Sequence, residues 1–254
     1  MDEMSLPKKA VTVSIVSHLQ SALVLPLLRQ LDQWSHGCIV CVVVTLNLPE
    51  AFEVDVLGLR FPVKVIANTR AMGFGENHNQ AFASCSTPWF LVLNPDIVLQ
   101  EDTLYRLLAR AEPNVGLIAP RVIEPAPAGL TPERGVITPW EVLAGPLGLR
   151  RPPARPVWFP GMYMLFRSAA FAAVQGFDVR YHMYCEDFDI CARLRLAGWT
   201  LKRSQQAEVL HPAQRHSHVR LRYLLWHVQS LWRTWTSGVL WRYWRLLRTQ
   251  AKKQ

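Results

Sequence analysis

Apolar and polar positions along the chain fall into blocks of two periods. Val11-Thr-Val-Ser-Ile-Val-Ser17 predicts a strand, Leu and Val recur at helical spacing from Ala22 to Gln33, and the apolar run Cys38 to Thr45 predicts a second strand. Val63-Lys-Val-Ile-Ala67 predicts a third, and a helix from Asn77 to Ser84 leads into strand Trp89-Phe-Leu-Val-Leu93. Strands that alternate with helices imply a mostly parallel sheet wrapped on both faces, with right-handed crossovers. Asn94-Pro-Asp96 then falls at the carboxyl edge, where such sheets bind ligands.

Beyond Asp96 the spacing predicts an amphipathic helix from Glu101 to Ala111 and a strand from Val115 to Pro120. A Pro- and Gly-rich segment, Glu124 to Pro156, follows; irregular stretches of that length are usually functional or mobile, and an acceptor-side loop is the preferred reading over a plain surface excursion. Trp158 to Arg167 reads as a strand entered through Gly161, Ser168 to Val174 as a short helix, and Gln175 to Asp178 as a turn. Glu186 to Ala197 is helical and ends at Gly198, suited to a left-handed cap, with brief strands expected at Trp199 to Arg203 and Ala207 to Leu210.

The chain has 254 residues, half of them hydrophobic, enough for one large α/β domain (1–215) with an appendage (216–254). Its net charge of +9 is uneven, because no Asp or Glu follows His211. On charge alone that end suits any polyanion. The first nine residues lack the basic-then-apolar order of a secretory signal and no stretch reaches the length of a membrane span, so a cytoplasmic location is expected. Five cysteines include Cys38-Ile-Val-Cys41, but that pair lies in an apolar run and no second pair completes a zinc site, so buried free thiols are expected.

Two acidic motifs carry the chemistry. A carboxylate at a strand's carboxyl end, Asp96 with the amide oxygen of Asn94 beside it, suits a hard cation on a diphosphate; a carboxylate pair heading a helix, Glu186-Asp187, suits a base. The alternatives are structural: an Asx-Pro turn at Asn94, and an acidic first turn that complements the helix dipole.

Seven features in order, from the strand Val11 to Ser17 through Asn68-Thr-Arg-Ala-Met-Gly-Phe-Gly-Glu-Asn-His-Asn-Gln-Ala-Phe82, Leu93-Asn-Pro-Asp96, Gly161-Met-Tyr-Met-Leu-Phe-Arg167, Gly176-Phe-Asp178, Glu186-Asp-Phe-Asp189 and His211, resemble the family 2 glycosyltransferases of GT-A fold, in particular their bacterial rhamnosyltransferase branch. The resemblance implies an inverting enzyme that moves a sugar, rhamnose from dTDP-rhamnose as the best guess, from a nucleotide-sugar donor to a lipid-linked or polysaccharide acceptor in cell-surface glycan synthesis. It implies Asp187 as the catalytic base with Glu186 as second choice, and Mg²⁺ or Mn²⁺ held by Asp96 and His211. Asn94 stands where the family's D-x-D motif has its first acid, which leaves one carboxylate for the metal. Gly73, Phe74 and Asn79 match the segment that lies under the donor, with Arg70 placed to meet its diphosphate. The usual pyrimidine-reading Asp is replaced by Val44-Thr-Leu-Asn47, so Asn47 or Thr45 takes its place, and Ser17-His18 stands where Thr/Ser-Tyr-Asn is usual.

From Val219 to Arg248, Trp226, Trp232, Trp235, Trp241, Tyr243 and Trp244 interleave with six arginines. Trp suits lipid interfaces and Arg reaches phosphates, so residues 219–248 are expected to lie on an anionic membrane at the inner face of the cell membrane, with packing on the catalytic domain as the alternative. No nucleic-acid module precedes this segment, and no nucleic-acid partner is expected. His216 and His218 are expected at the surface. The rival functions are a nucleotidyltransferase and a non-catalytic binding protein on a degenerate scaffold.

Overall fold

A computed structural model describes residues 9–125, 129–131, 134–144, 153, 157–212 and 221–251. His216, His218 and part of the Pro- and Gly-rich segment lie outside them. The elements follow as β1 (Val11–Ser17), α1 (Ser21–Ser35), β2 (Ile39–Leu46), β3 (Val63–Ala67), α2 (Phe74–Phe82), β4 (Trp89–Leu93), α3 (Thr103–Leu108), β5 (Val115–Glu124), β6 (Gly129–Leu130), α4 (Pro139–Ala144), β7 (Tyr163–Arg167), α5 (Ser168–Ala173), α6 (Glu186–Leu196), β8 (Thr200–Leu210), α7 (Leu221–Thr236) and α8 (Gly238–Ala251).

One sheet runs β3-β2-β1-β4-β7-β5-β6, with β8 on β5. The pairs β1–β2, β1–β4, β2–β3 and β5–β8 are parallel, and β7 is antiparallel to both β4 and β5. Both faces are covered, which is why β4 reads as an unbroken apolar run. Trp89, Leu91 and Leu93 join the core of α1 and α3, while Phe90 and Val92 join that of α5 and α6. Phe171 of α5 centres the second layer, with the rings of Phe82, Phe90, Phe166 and Phe177 at 4.5–5.6 Å. Truncating such a ring costs about 3–5 kcal/mol.

Several expected boundaries move. β8 is one strand of 11 residues rather than two brief ones. Among the described strands it pairs with β5, with an isolated bridge from Leu210 to Val98, and a register shift opposite Ala119/Arg121 interrupts its pattern around the polar Ser204-Gln-Gln206. β5 likewise continues past Pro120 to Glu124. α2 starts three residues early, at Phe74, and β7 starts at Tyr163, because Trp158 makes only an isolated bridge to Arg134. The expected end of α6 is found: Gly198 has φ +89° and the N–H of Trp199 donates to Leu194 O at 3.0 Å.

The appendage is integrated. Leu240 and Tyr243 of α8 are buried against α6, the Tyr243 hydroxyl donates to Val157 O at 2.6 Å, and Trp235 Nε1 donates to Ile137 O at 2.9 Å. Packing on the catalytic domain, the alternative reading of the basic aromatic segment, therefore describes one face of these helices. The outer face of α7 stays exposed. Among the described residues no helix is long and apolar enough to cross a membrane. All five cysteines are free, and burial pushes the Cys38 thiol up to about 11.

Candidate functional site

Strand direction brings the site together. β1, β2, β3 and β4 end at one edge of the sheet, β5 and β8 end there too, and the antiparallel β7 begins there. Ser17, Asn47, Asn68, Asn94, Glu124, His211 and the Gly161-Met162 turn therefore converge, although up to about two hundred residues separate them in sequence.

The metal-binding candidates meet. His211 Nε2 lies 3.2 Å from Asp96 Oδ2, and its Nδ1 is 3.9 Å from Glu124 Oε1. Burial disfavours the charged imidazole, but the hydrogen bond and charge of Asp96 and the charge of Glu124 outweigh it and hold the pKa above its usual value. Asp96 Oδ1 and His211 Nδ1 are buried without a hydrogen-bond partner. A hard dication needs only one or two protein ligands when phosphate oxygens and water complete its shell. The residues present fit that role, although no cluster of three such side chains that could hold an ion gathers among the described residues. Glu124 was not foreseen, because the sequence places it at the start of an irregular segment; the continuation of β5 puts it beside His211.

On the donor side most expected contacts are internal to the protein. Asn47 Oδ1 accepts from Met72 N (2.7 Å) and Asn68 Nδ2 (3.1 Å), while its Nδ2 donates to Met72 O (3.0 Å) and faces His18 Nδ1 (3.1 Å). Asn68 continues to Asn77 Oδ1 at 2.7 Å, and Asn77 donates to Gly73 O at 2.9 Å. Three asparagines thus fix the 72–73 turn, and the Asn47 amide is engaged within the protein at both its oxygen and its nitrogen. Asn79 is an anchor as well: it donates to Phe177 O (2.8 Å) and accepts from Phe177 N (2.9 Å). Ser17 is buried, and its hydroxyl accepts from Gln20 N at 3.1 Å, while His18 is exposed at the edge. Arg70 is exposed and paired to Glu76 at 2.9 Å.

The glycines also serve the protein itself. A Cβ on Gly73 would come within 2.8 Å of His182 O, and one on Gly75 within 2.5 Å of Phe177 Cβ. The N–H of Phe74 donates to His182 O at 2.9 Å, and its ring stands edge-on to His78 and Phe177. His78 went unnoticed in the sequence, where an imidazole between two asparagines has no distinguishing pattern. It is fully buried, meets Ser14 Oγ at 2.8 Å, leaves Nε2 without a partner, and is pushed by burial down to about 3.

The base side is built on strained backbone. Tyr184 and Cys185, neither a glycine, adopt φ of 72° and 66° immediately before α6. Such conformations persist where the surroundings enforce them, and they cluster at functional sites. The Asp187 carboxylate accepts from its neighbour's N–H, Phe188 (2.8 Å), and from Gly161 N (3.2 Å). Burial raises its pKa, opposed by those two N–H groups and by the charge of Arg134, which rests over the Trp158 ring at 5.0 Å. Glu186 is more deeply placed, with Oε2 unpartnered; burial, reinforced by the charge of Asp187, raises its pKa well above the usual value. Asp189 is structural, paired to Arg193 at 2.6 Å, whose guanidinium also donates to Gly176 O at 2.8 Å. Arg134 escaped the sequence reading because it lies in the irregular segment.

The two sides share a turn. Asn94 N donates to Met162 O at 2.9 Å, and Gly161 N donates to Asp187. Residues 161–162 therefore tie the Asn94-Pro-Asp96 edge to the base.

This architecture is the GT-A glycosyltransferase fold. It is similar to a mannosyltransferase from Pyrobaculum calidifontis in complex with GDP-Man and Mn²⁺ (TM-score 0.59, 13% identity, 85% of this chain and 62% of that one) and to S. aureus TarS in complex with UDP-GlcNAc (TM-score 0.62, 13% identity, 82% and 60%). The pattern of glycosyl transferase family group 2 matches residues 89–251, well over half the chain, and the chain belongs to that family. Among curated proteins it is similar to an N-acetylglucosaminyl-diphospho-decaprenol L-rhamnosyltransferase of Mycobacterium tuberculosis, 30% identical over 183 residues, 60% of each chain. It is also similar to the rhamnosyltransferase WbbL of Escherichia coli K12, 28% identical over 182 residues, 63% of this chain and 69% of that one. The chain spans about 60% of the length of the first of these relatives.

Proposed function

We propose that the protein is an inverting rhamnosyltransferase that moves rhamnose from dTDP-rhamnose to a hydroxyl of a lipid-linked acceptor, working from the cytoplasmic face of an anionic membrane in cell-surface glycan synthesis. The observation that carries the reading is the Asp187 carboxylate, poised by the N–H groups of Gly161 and Phe188 at the edge that also holds Asp96 and His211.

Asp187 takes the proton of the acceptor hydroxyl while that oxygen bonds to the anomeric carbon and the bond from that carbon to the diphosphate breaks. Attack from the face opposite the diphosphate inverts the centre, and nucleoside diphosphate leaves. Burial makes Asp187 a stronger base than a solvated aspartate. Glu186, whose raised pKa favours the protonated form, spares Asp187 a second negative charge. Asp96 and His211 would hold Mg²⁺ or Mn²⁺, which when bound neutralises charge developing on the departing diphosphate. His18, exposed beside the Asn47 cluster, is the side chain at this edge that remains open to stack on the base.

The identity of the donor and acceptor draws on the two curated relatives, both named as rhamnosyltransferases, one with a diphospho-decaprenol acceptor in its name. The membrane reading draws on the exposed outer face of α7 and on an arginine-rich end without Asp or Glu. Incubating the full chain with dTDP-rhamnose, Mn²⁺ and a prenyl-diphosphate-linked N-acetylglucosamine tests the proposal. Release of dTDP with a product of inverted anomeric configuration is expected. Release of pyrophosphate would make it a nucleotidyltransferase, and no turnover or binding with any sugar nucleotide would make it a degenerate scaffold.

A further inference from the structure

A cavity of about 530 Å³ opens between α7 and the segment before α6, lined among others by Arg180, His182, Trp226, Ser230, Trp232 and Arg233. Neither the base nor the donor side uses it, yet it shares their framework. His182, in its wall, accepts the N–H of Phe74 from the donor-side helix, and Ser230 donates to Met183 O three residues before Glu186.

The charges in this cavity are unequal. Arg180 is committed to Asp178, with Nε and Nη2 donating at 2.6–3.0 Å. Arg233 is half-buried, and its guanidinium makes no hydrogen bond or ion pair among the described residues. A guanidinium left unpaired in a niche walled by aromatic rings suits a phosphate group, whose oxygens it can meet with two parallel N–H bonds.

At 3.6 residues per turn, Leu221, Leu224, Leu225, Val228 and Trp232 share one face of α7, and all are exposed, at 72%, 58%, 52%, 55% and 67%. Trp232 belongs both to this face and to the cavity wall. An apolar strip therefore leads to a cationic niche. An inorganic anion has no use for the strip, and an uncharged lipid has no use for Arg233; an amphiphile with phosphate next to its hydrocarbon uses both.

We propose that this cavity is the subsite for the diphosphate of the lipid-linked acceptor, with Arg233 on the phosphate and the hydrocarbon along the exposed face of α7. The inference rests on the reading of the protein as a transferase to such an acceptor. It places the acceptor's anionic group beside the segment that leads into Glu186-Asp187, on the far side of His182 from the donor turn.

Quenching of tryptophan fluorescence in the full chain, with farnesyl diphosphate as probe, tests it, alongside farnesol, inorganic pyrophosphate and phosphatidylglycerol vesicles. Farnesyl diphosphate is expected to bind at least about tenfold tighter than either farnesol or pyrophosphate, and Arg233→Gln to remove about tenfold of that affinity. Trp232→Ala should weaken it as well. Unchanged binding by Arg233→Gln, equal binding of farnesol, or displacement of the probe by phosphatidylglycerol vesicles would each overturn the assignment. A thermal shift with dTDP-rhamnose on the same samples separates the two readings. Probe binding through Arg233 with no donor shift would leave the subsite standing and remove the transferase reading, whereas an intact donor shift with an indifferent Arg233→Gln would remove the subsite alone.

Discussion

The hydroxyl of Ser230 in α7 donates to the carbonyl of Met183 at 2.8 Å. Met183 precedes Tyr184 and Cys185, the two left-handed residues that aim Glu186 and Asp187, so the C-terminal helices brace the base rather than hang from the domain. Thr234, one turn further along, meets the Tyr181 hydroxyl at 3.3 Å. A chain ending at residue 212 should therefore lose transfer to a water-soluble acceptor as well as any hold on membranes. Ser230→Ala should cost about 1 kcal/mol, read as a lower urea midpoint. Full transfer by the shortened chain would show that α7 and α8 leave the base unaffected.

Replacing Asp187 by Asn keeps the shape and one of the two N–H contacts, since an amide has a single acceptor oxygen, while removing the base. Transfer should fall by about 10²–10⁴. Donor affinity, measured by calorimetry, should stay within a few fold, because the carboxylate faces the acceptor hydroxyl in the proposed reaction. A fall in donor affinity with the rate of bound enzyme unchanged would make Asp187 a binding group.

Asp96→Asn and His211→Ala should each weaken the Mn²⁺-dependent part of donor stabilisation. The effect should be about tenfold or more in donor affinity with metal present and small without it, since each removes one of two protein ligands from a site completed by phosphate and water. Titration of the donor with and without Mn²⁺ reads this directly. Equal losses in the two conditions would assign both residues to the architecture of the sheet edge.

His78 ties stability to pH. Its ordinary pKa of 6.5 falls to about 3 in the fold, because burial disfavours the charged ring. Below about 6.5 the unfolded chain takes up a proton that the folded one refuses until about 3, so stability is lost across that window as pH falls. The slope is at most about 1.4 kcal/mol per pH unit. His78→Gln should be less stable at pH 7, where the Ser14 and Phe74 contacts matter, yet lose less between pH 6 and 4 than the parent chain. Parallel slopes in urea titrations at several pH values would refute this account.

Much of this architecture is legible in the sequence because it rests on local pattern. The apolar runs of β1, β2 and β4 place Asn94 at the carboxyl edge, and Gly198 announces the end of α6. Roles that depend on long-range approach are not legible. Gly73 and Gly75 read as room for a phosphate, but their missing Cβ atoms admit His182 and Phe177, more than a hundred residues away. Asn47 reads as a donor-side residue and Asn79 as a ligand or a buried anchor, and the hydrogen bonds that each makes across the fold are not in the local pattern. The basic aromatic end carries two patterns at once, and only packing separates the buried Leu240 and Tyr243 from the exposed Trp232.

Glu186 gives the sharpest contrast with its neighbour. Its side chain is buried, Oε2 has no partner, and burial together with the charge of Asp187 raises its pKa well above the ordinary 4.5. A raised carboxyl pKa makes the ionised form a burden on the fold: below about 4.5 both states are protonated and nothing is lost, while at higher pH the unfolded chain ionises freely and the folded one does so at a cost. Glu186→Gln removes the burden without changing the shape. The variant should match the parent below about pH 4.5 and exceed it increasingly as pH rises, by a few degrees in melting temperature at neutral pH. The acidic limb of the rate profile, set by Asp187, should stay where it is, because a protonated Glu186 already spares Asp187 a second negative charge. A variant less stable than the parent at pH 8 would mean that the Glu186 carboxylate has a partner that stabilises its charge.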